Sequence, residues 1–409
     1  MYVTRGKKMK IGLYGIDGLY NYGCEAIVRG TEIMLHRLNP SFEIIYYSRR
    51  AEQDCKAIAD IPVKIENINR KLTIFQRLIN KFSRIFIGYN IFSDYNYKKV
   101  CQECDVIISI GGDIYTIPKY QQNKNIKRIS LEIVRFGEYV KKHKRTLIIY
   151  GASIGPFGSQ KKIVDYFKRH LEKVDLILCR EEKSIEYLKT IGIYKNVELF
   201  PDPAFGVEGK FEVKLADKEY VGVNLSALSL KEIYGEVSTE SEKKLAGLID
   251  ALAIETKKKV MLIPHVFSPG NSIDNDYLFL EKIQKMLKTE SVLVKQQAGF
   301  IGLKKELQKC SFVVAARMHC CVNAVCEEIP TIFLAYSQKA EGMVRFVYGS
   351  DKWLILLENI EDQLINLGKA ILEDRETINK NLEKKIQEIR IYQNFENEKQ
   401  RIIDVIEKR

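Results

Sequence analysis

Residues 312–336 read FVVAARMHCCVNAVCEEIPTIFLAY. An apolar run ends at Arg317, His319 follows, and a stretch of helical spacing leads to a second apolar run. A guanidinium can fork onto two oxygens of a phosphate or carboxylate. An imidazole changes charge near neutral pH and can pass protons. In open α/β sheets ligands bind where strands hand over to helices, so this placement implies chemistry on an anionic substrate. Arg180 repeats the pattern after the apolar run LILC at 176–179. Gly111, Gly112 and Asp113 follow another such run. Glycines there let a ligand approach the backbone, and Asp113 either takes a hydroxyl proton or caps the next helix. His265 is the second candidate for proton transfer, and Ser337 and Lys339 are candidates for binding phosphate. Asn21 and Glu25 either contact an acceptor or build a turn. Asp274 and Asp276 stand in a polar loop and are read as loop chemistry, so no metal site is expected.

The elements that must position these residues are legible as alternating runs. Apolar runs at 10–15, 42–47, 105–110, 146–150, 176–179 and 197–200 predict strands, with helical spacing between most of them. A second series runs through 220–225, 260–264, 291–294, 312–315 and 331–334, with helices over 240–256, 276–287, 301–310 and 322–328. Strands alternating with helices predict parallel sheets covered on both faces. The expected architecture is α/β: two doubly wound Rossmann-like domains facing a central cleft, GT-B-like. Residues 1–205 form the N-terminal domain, 206–219 the linker, 220–355 the C-terminal domain, and 356–409 a charged helical tail packing back on the body.

The chain has 409 residues, 46% of them hydrophobic, which is enough for two cores. A net charge of +12 points to an anionic partner without choosing between phosphate, nucleic acid and lipid headgroup. No basic-aromatic recognition motif supports nucleic acid. The turn at 15–23 is neither GxGxxG nor a P-loop, so no nucleotide cofactor is expected. The 9 cysteines are irregularly spaced, with one CxxC at Cys101 and Cys104. That pattern suits buried thiols in a reducing cytoplasm. The apolar run after the basic N-terminus is too short for a signal peptide, and no run is long enough to span a membrane.

Several pieces, in order, resemble the polysaccharide pyruvyl transferase family over roughly residues 10–349. They are GIDGLYNYGCEAIVRG, DVIISIGGDIYT, YGASIGPFGS, CREEKSIEYLKTIGI, FPDPAF, LIPHVF with DND downstream, the RMH element, and PTIFLAYSQKAEG. Asn21, Gly23, Glu25 and Ala26 match the first motif, while Cys24 stands where an acidic residue is common. The resemblance implies transfer of pyruvate from phosphoenolpyruvate to sugar hydroxyls as a ketal, in cell-surface polysaccharide synthesis. It also assigns Arg317, His319 and Arg180 to catalysis and phosphoenolpyruvate binding. On this reading His319 is the general acid, Arg317 and Arg180 clamp the anions, and phosphoenolpyruvate is a donor substrate rather than a cofactor. The acceptor is a free, nucleotide-linked or lipid-linked glycan. Two rivals share the charge and architecture: a nucleotide-sugar glycosyltransferase on the GT-B plan, and a non-catalytic polysaccharide- or nucleic-acid-binding protein.

Residues 70–86, RKLTIFQRLINKFSRIF, place Arg70, Arg77, Lys81 and Arg84 on one side of a helix. Leu72, Phe75, Leu78, Ile79, Phe82, Ile85 and Phe86 fall on the other. Two placements fit this pattern. The apolar side packs on the first domain, which is the expected outcome, or the helix makes peripheral contact with an anionic membrane at the inner face.

Overall fold

The computed structural model describes residues 8–117, 122, 132–209, 218–270, 273–295, 299–335, 339–392 and 396–408. The chain divides into two compact units. The first comprises Met1–Gly18, Ile27–Pro203 and Gln393–Arg409; the second comprises Leu19–Ala26 and Ala204–Tyr392. The strand-and-helix alternation did not foretell two of these assignments. Leu19–Ala26, inside the expected N-terminal domain, groups with the second unit, and the end of the tail groups with the first. Most of the expected linker, 210–217, lies outside the described residues.

The first unit is built on a seven-stranded sheet of order β3-β2-β1-β4-β5-β6-β7. Its strands are β1 (Lys10–Tyr14), β2 (Glu43–Ser48), β3 (Val63–Asn67), β4 (Val106–Ile110), β5 (Thr146–Ala152), β6 (Leu176–Cys179) and β7 (Val197–Leu199). All neighbours pair parallel. Every residue of β4 and β6 is buried, as a parallel sheet covered on both faces requires. The expected strands are present. β3 escaped notice because it is an edge strand, VKIEN, with no fully buried residue and no continuous apolar run.

The second unit holds a six-stranded parallel sheet of order β10-β9-β8-β11-β12-β13. It comprises β8 (Tyr220–Asn224), β9 (Lys259–Leu262), β10 (Ser291–Leu293), β11 (Cys310–Ala315), β12 (Thr331–Ala335) and β13 (Leu354–Leu356). β13 is three residues at an edge and gives no periodic signal. Each sheet reverses strand order once, between β1 and β4 and between β8 and β11. The crevices beyond the carboxyl ends of those pairs are where this class of sheet takes ligands. The helix Met318–Cys326 starts earlier than the expected 322, because the carbonyl of Arg317 already accepts the N–H groups of Cys320 and Cys321. No Ser, Thr, Asp or Asn cap announces this start in the sequence.

His170 lies in the first core, fully buried against Tyr115 at a ring-centroid distance of 6.0 Å. Neither of its ring nitrogens has a hydrogen-bond partner among the described residues. Burial, helped by Lys173, lowers its pKa to about 4. As pH falls, the unfolded chain takes up this proton first. Stability is therefore held above about pH 6.5 and lost as pH falls towards the folded value. His170→Leu should remove that dependence. Between pH 7 and pH 4.5 the parent should lose about 2 kcal/mol more unfolding free energy than the variant, as measured by urea titration. Equal losses in both proteins would show that this imidazole is not the titrating group.

Candidate active site

In the second unit the site is built around a buried carboxylate. Arg317 follows β11 and occupies the N-cap position of Met318–Cys326. A cation there opposes the positive end of the helix, so it needs carboxylate partners. Its Nη2 donates to Asp274 Oδ1 at 2.6 Å and to Asp276 Oδ1 at 2.8 Å, and Nε donates to Asp276 Oδ1 at 3.3 Å. Asp276 is fully buried, whereas Asp274 is 41% exposed. Asp276 Oδ2 accepts the backbone N–H groups of His265 and Val266, each at 3.1 Å. Asn224, the last residue of β8, accepts the backbone N–H of Arg317 at 2.9 Å. Burial pushes Asp276 above the usual carboxylate range, while Arg317 and the two backbone donors pull it down.

His319 lies in the first turn of that helix. A β-carbon on Gly23 would come within 2.7 Å of the His319 ring, so only glycine fits there. The segment carrying Gly23 is held in place by several bonds. Asn21 pairs antiparallel with Val266, and Tyr22 N–H donates to the His265 carbonyl at 3.0 Å. Asn21 Oδ1 accepts the Gly23 N–H at 2.9 Å. Glu25 is buried and accepts the Phe300 N–H at 3.2 Å. Asn21 thus makes a local turn bond, whereas Glu25 ties this segment to the start of the helix Gly299–Leu307. His265 is fully buried, neither ring nitrogen has a partner among the described residues, and its ring meets Tyr22 and Phe300 edge-on. Burial, then His319, Arg317 and Lys304, hold its pKa well below the ordinary value. Burial thus favours the neutral imidazole, the form that accepts a proton rather than donates one.

In the first unit Arg180 follows β6 and is buried. Its Nε donates to Ser153 Oγ at 2.9 Å, Nη1 to Asp202 Oδ2 at 2.9 Å and Nη2 to Asp113 Oδ1 at 3.2 Å. Burial opposes its charge, but Asp113, Asp202 and Glu181 outweigh it and raise the pKa. Its ion-pair partners are thus Asp113 and Asp202. Asp202 is fully buried and Asp113 is 65% exposed. Gly112 makes room for the guanidinium: a β-carbon there would lie 2.6 Å from Nη1. Gly111 and Gly112 lead from β4 to Asp113, whose carbonyl accepts from the Thr116 N–H and hydroxyl. Beside this turn, at the ends of β1 and β4, opens a cavity of about 230 Å³. Asp17, Tyr95, Ile114, Thr116 and Glu132 are among its lining residues.

The structure thus gathers Gly111, Gly112, Asp113 and Arg180 in one cluster and Asn21, Glu25, His265, Arg317 and His319 in another. Ser337 lies outside the described residues, and Lys339 opens the helix Lys339–Tyr348. Sequence reasoning missed Asp202 and Ser153 and took Asp276 for loop chemistry. The usable signal was the arginines themselves, since a buried guanidinium requires carboxylate partners. Among the described residues no three His, Cys, Asp or Glu side chains group so as to hold a metal. Cys101 and Cys104 are buried free thiols, and burial pushes both up to about 11.

A family model for polysaccharide pyruvyl transferases matches residues 21–338. No curated protein matches the chain significantly. Solved structures resemble it at low identity. One, ascribed to a UDP-N-acetylglucosamine 2-epimerase of Listeria monocytogenes, superposes with a TM-score of 0.60 at 10% identity, covering 99% of this chain and 98% of that one. Anabaena HepE, solved with UDP and glucose, gives 0.55 at 11%, covering 95% and 98%. The Neisseria meningitidis UDP-GlcNAc 2-epimerase bound to UDP-GlcNAc gives 0.55 at 10%, covering 98% and 100%. These likenesses show the fold, two Rossmann-like α/β domains of the GT-B class, and nothing of the substrate.

Gly23→Ala should destabilise the second unit by about 1–3 kcal/mol through overpacking. The three atoms nearest the new methyl all belong to His319. In a His319→Gly background the same substitution should therefore cost less than about 0.5 kcal/mol, a coupling that a double-mutant cycle in urea resolves. An equal cost in both backgrounds would show that the imidazole does not set the requirement for glycine.

Proposed function

We propose that this chain, which belongs to the polysaccharide pyruvyl transferase family, moves pyruvate from phosphoenolpyruvate onto two hydroxyls of a sugar. The product is a carboxyl-bearing ketal in a cell-surface polysaccharide. The observation that carries the reading is the cluster at the switch point of the second sheet, where Arg317 caps the helix that presents His319. Phosphoenolpyruvate brings a phosphate and a carboxylate on one small frame. Arg317, with the N-terminal end of Met318–Cys326, supplies a forked cation and helix N–H groups to such anions. Asp276, buried, holds the guanidinium in place; Asp274, exposed, is the carboxylate that a substrate anion displaces.

The reaction balances without an oxidant. His319 protonates the methylene carbon, making C2 cation-like. One sugar hydroxyl attacks C2, the C2–O bond to phosphate breaks, and a second hydroxyl closes the ring. Of the two hydroxyl protons, one replaces the proton that the methyl group received and the other leaves on inorganic phosphate. Asp113 is assigned to the acceptor hydroxyl. Arg180 holds Asp113 and is the second anion clamp, its exposed partner Asp113 standing to it as Asp274 stands to Arg317. The cavity beside the turn that carries Asp113, with the rings of Tyr14, Tyr95 and Phe136 and the carboxylates of Asp17 and Glu132 in its lining, suits a sugar.

The enzyme works on this reading in the cytoplasm without metal or cofactor, on a free, nucleotide-linked or lipid-linked acceptor and not on nucleic acid. A lipid-linked acceptor would lie at the inner face of the membrane. HepE, solved with UDP and glucose, and the UDP-GlcNAc-bound Neisseria epimerase share the fold at 10–11% identity, which by itself carries no argument for a nucleotide-sugar substrate here.

Incubation with phosphoenolpyruvate and candidate glycans should release phosphate, with a matching mass gain on the acceptor and no nucleotide release. His319→Gln should lower kcat by about a hundredfold or more while changing phosphoenolpyruvate affinity much less. Arg317→Ala should abolish calorimetrically detectable phosphoenolpyruvate binding, and Arg317→Lys should restore it only in part. Asp274→Asn should bind phosphoenolpyruvate at least as tightly as the parent. Unchanged affinity in Arg317→Ala would remove that residue from the donor site, and normal turnover in His319→Gln would reassign the acid.

A further inference from the structure

We propose that the helix Ile74–Phe86 of the first unit docks this enzyme on an anionic lipid bilayer. The ordinary expectation, that its apolar side packs on the protein, is overturned by the structure. Ile74, Phe75, Leu78, Phe82, Ile85 and Phe86 are exposed, by 49% to 79% of their surface. The helix turns its small polar residues inward instead. Asn80 and Ser83 are its buried residues. Asn80 exchanges two 2.8 Å bonds with the backbone of Phe92, and the Ser83 hydroxyl donates to the Tyr89 carbonyl at 2.8 Å.

At about 100° per residue the helix has three sectors. Gln76, Asn80 and Ser83 form the inward one. The six exposed apolar residues centre roughly 140° away from it, and Arg77, Lys81 and Arg84 flank them. A water-facing helix with this arrangement is inverted relative to the usual amphipathic rule. The helix is nonetheless firmly built. Thr73 and Gln76 form a capping box. The following loop is held by Arg135, which donates to the carbonyls of Asn90 and Ile91 at 2.7 Å. Tyr89 and Ile91 in that loop are exposed as well and extend the apolar surface.

Charge selects the occupant. Residues 70–92 contain Arg70, Lys71, Arg77, Lys81 and Arg84 and no Asp or Glu. A second copy docking by the same face would oppose five cations with five cations. An anionic bilayer matches both features: the apolar ridge enters to the boundary between headgroups and acyl chains, and the flanking cations meet lipid phosphates. Docking does not rest on the pyruvyl-transfer reading. It deepens that reading by implying a lipid-linked acceptor.

The test is sedimentation of the full chain with vesicles of phosphatidylcholine alone and of phosphatidylcholine mixed with phosphatidylglycerol. Binding should require the anionic lipid and weaken as salt is raised above physiological strength, where the screening length falls below about 8 Å. Phe75→Ser with Phe82→Ser and Phe86→Ser should reduce vesicle affinity at least tenfold. Arg77→Glu with Lys81→Glu and Arg84→Glu should do the same. The unfolding midpoint should be kept in both, since all six side chains face solvent. Equal binding to both vesicle types, no binding by the parent, or self-association through this face in light scattering would each overturn the proposal. None of these outcomes bears on phosphate release with a water-soluble acceptor, so the two readings fail separately.

Discussion

The carboxylate of Asp276 is the interaction on which the second site depends. It is fully buried, and ionised it would be intolerable there without donors. Its donors come from three separate places: the guanidinium of Arg317 after β11, the backbone N–H groups of His265 and Val266 after β9, and the side chain of Asn224 at the end of β8. One side chain therefore ties together the carboxyl ends of adjacent strands on both sides of the point where strand order reverses. The segment at 264–267 in turn holds Tyr20, Asn21 and Tyr22 through backbone bonds, and that places Gly23 against His319. Removing one partner from such a pair leaves a buried uncompensated charge, which costs several kcal/mol. The pair is thus a device for position more than for net stability.

The two arginines share a design. Each is held by one carboxylate that is fully buried and one that is exposed: Asp202 and Asp113 for Arg180, Asp276 and Asp274 for Arg317. Neither trio carries a surplus positive charge, so the net +12 of the chain is not concentrated at these residues. The proposed anion recognition therefore rests on directed N–H donors and on exchange of the exposed carboxylate, both of which depend on shape. The surplus charge is distributed elsewhere, with five cations and no acid in residues 70–92. Composition alone could not separate these two uses of positive charge.

Much of the fold was legible because buried parallel strands are written as continuous apolar runs, and eleven of these mark strand positions that the sheets contain. The strands that were not legible, β3 and β13, are short or half-buried edges whose pattern differs little from a loop. Arg317, His319 and Arg180 were legible as candidates from their place after apolar runs taken together with the family motifs that contain them. Their partners were not. Asp276 lies 41 residues from Arg317 and Asp202 lies 22 from Arg180, and a single sequence carries no signal joining residues that only the fold brings together. The helix at 74–86 shows another limit. Periodicity reveals that two faces differ, but which face is inward is decided by Asn80 and Ser83 bonding to the loop that follows.

The motif glycines acquire meaning only in pairs. Gly23 stands beside His319, and Gly112 beside Arg180, each at a distance that a methyl group would violate. In both cases the residue that chemistry would use is backed by a bare backbone rather than by another side chain. A side chain held against backbone loses rotamer freedom without a neighbour that can itself rearrange, and this is the kind of placement a reacting group needs. The glycine-containing turns at 21–23 and 111–113 are therefore better understood as the seats of the imidazole and the guanidinium than as loops that wrap a phosphate. This accounts for their failure to match any nucleotide-binding pattern although they stand where such patterns are found.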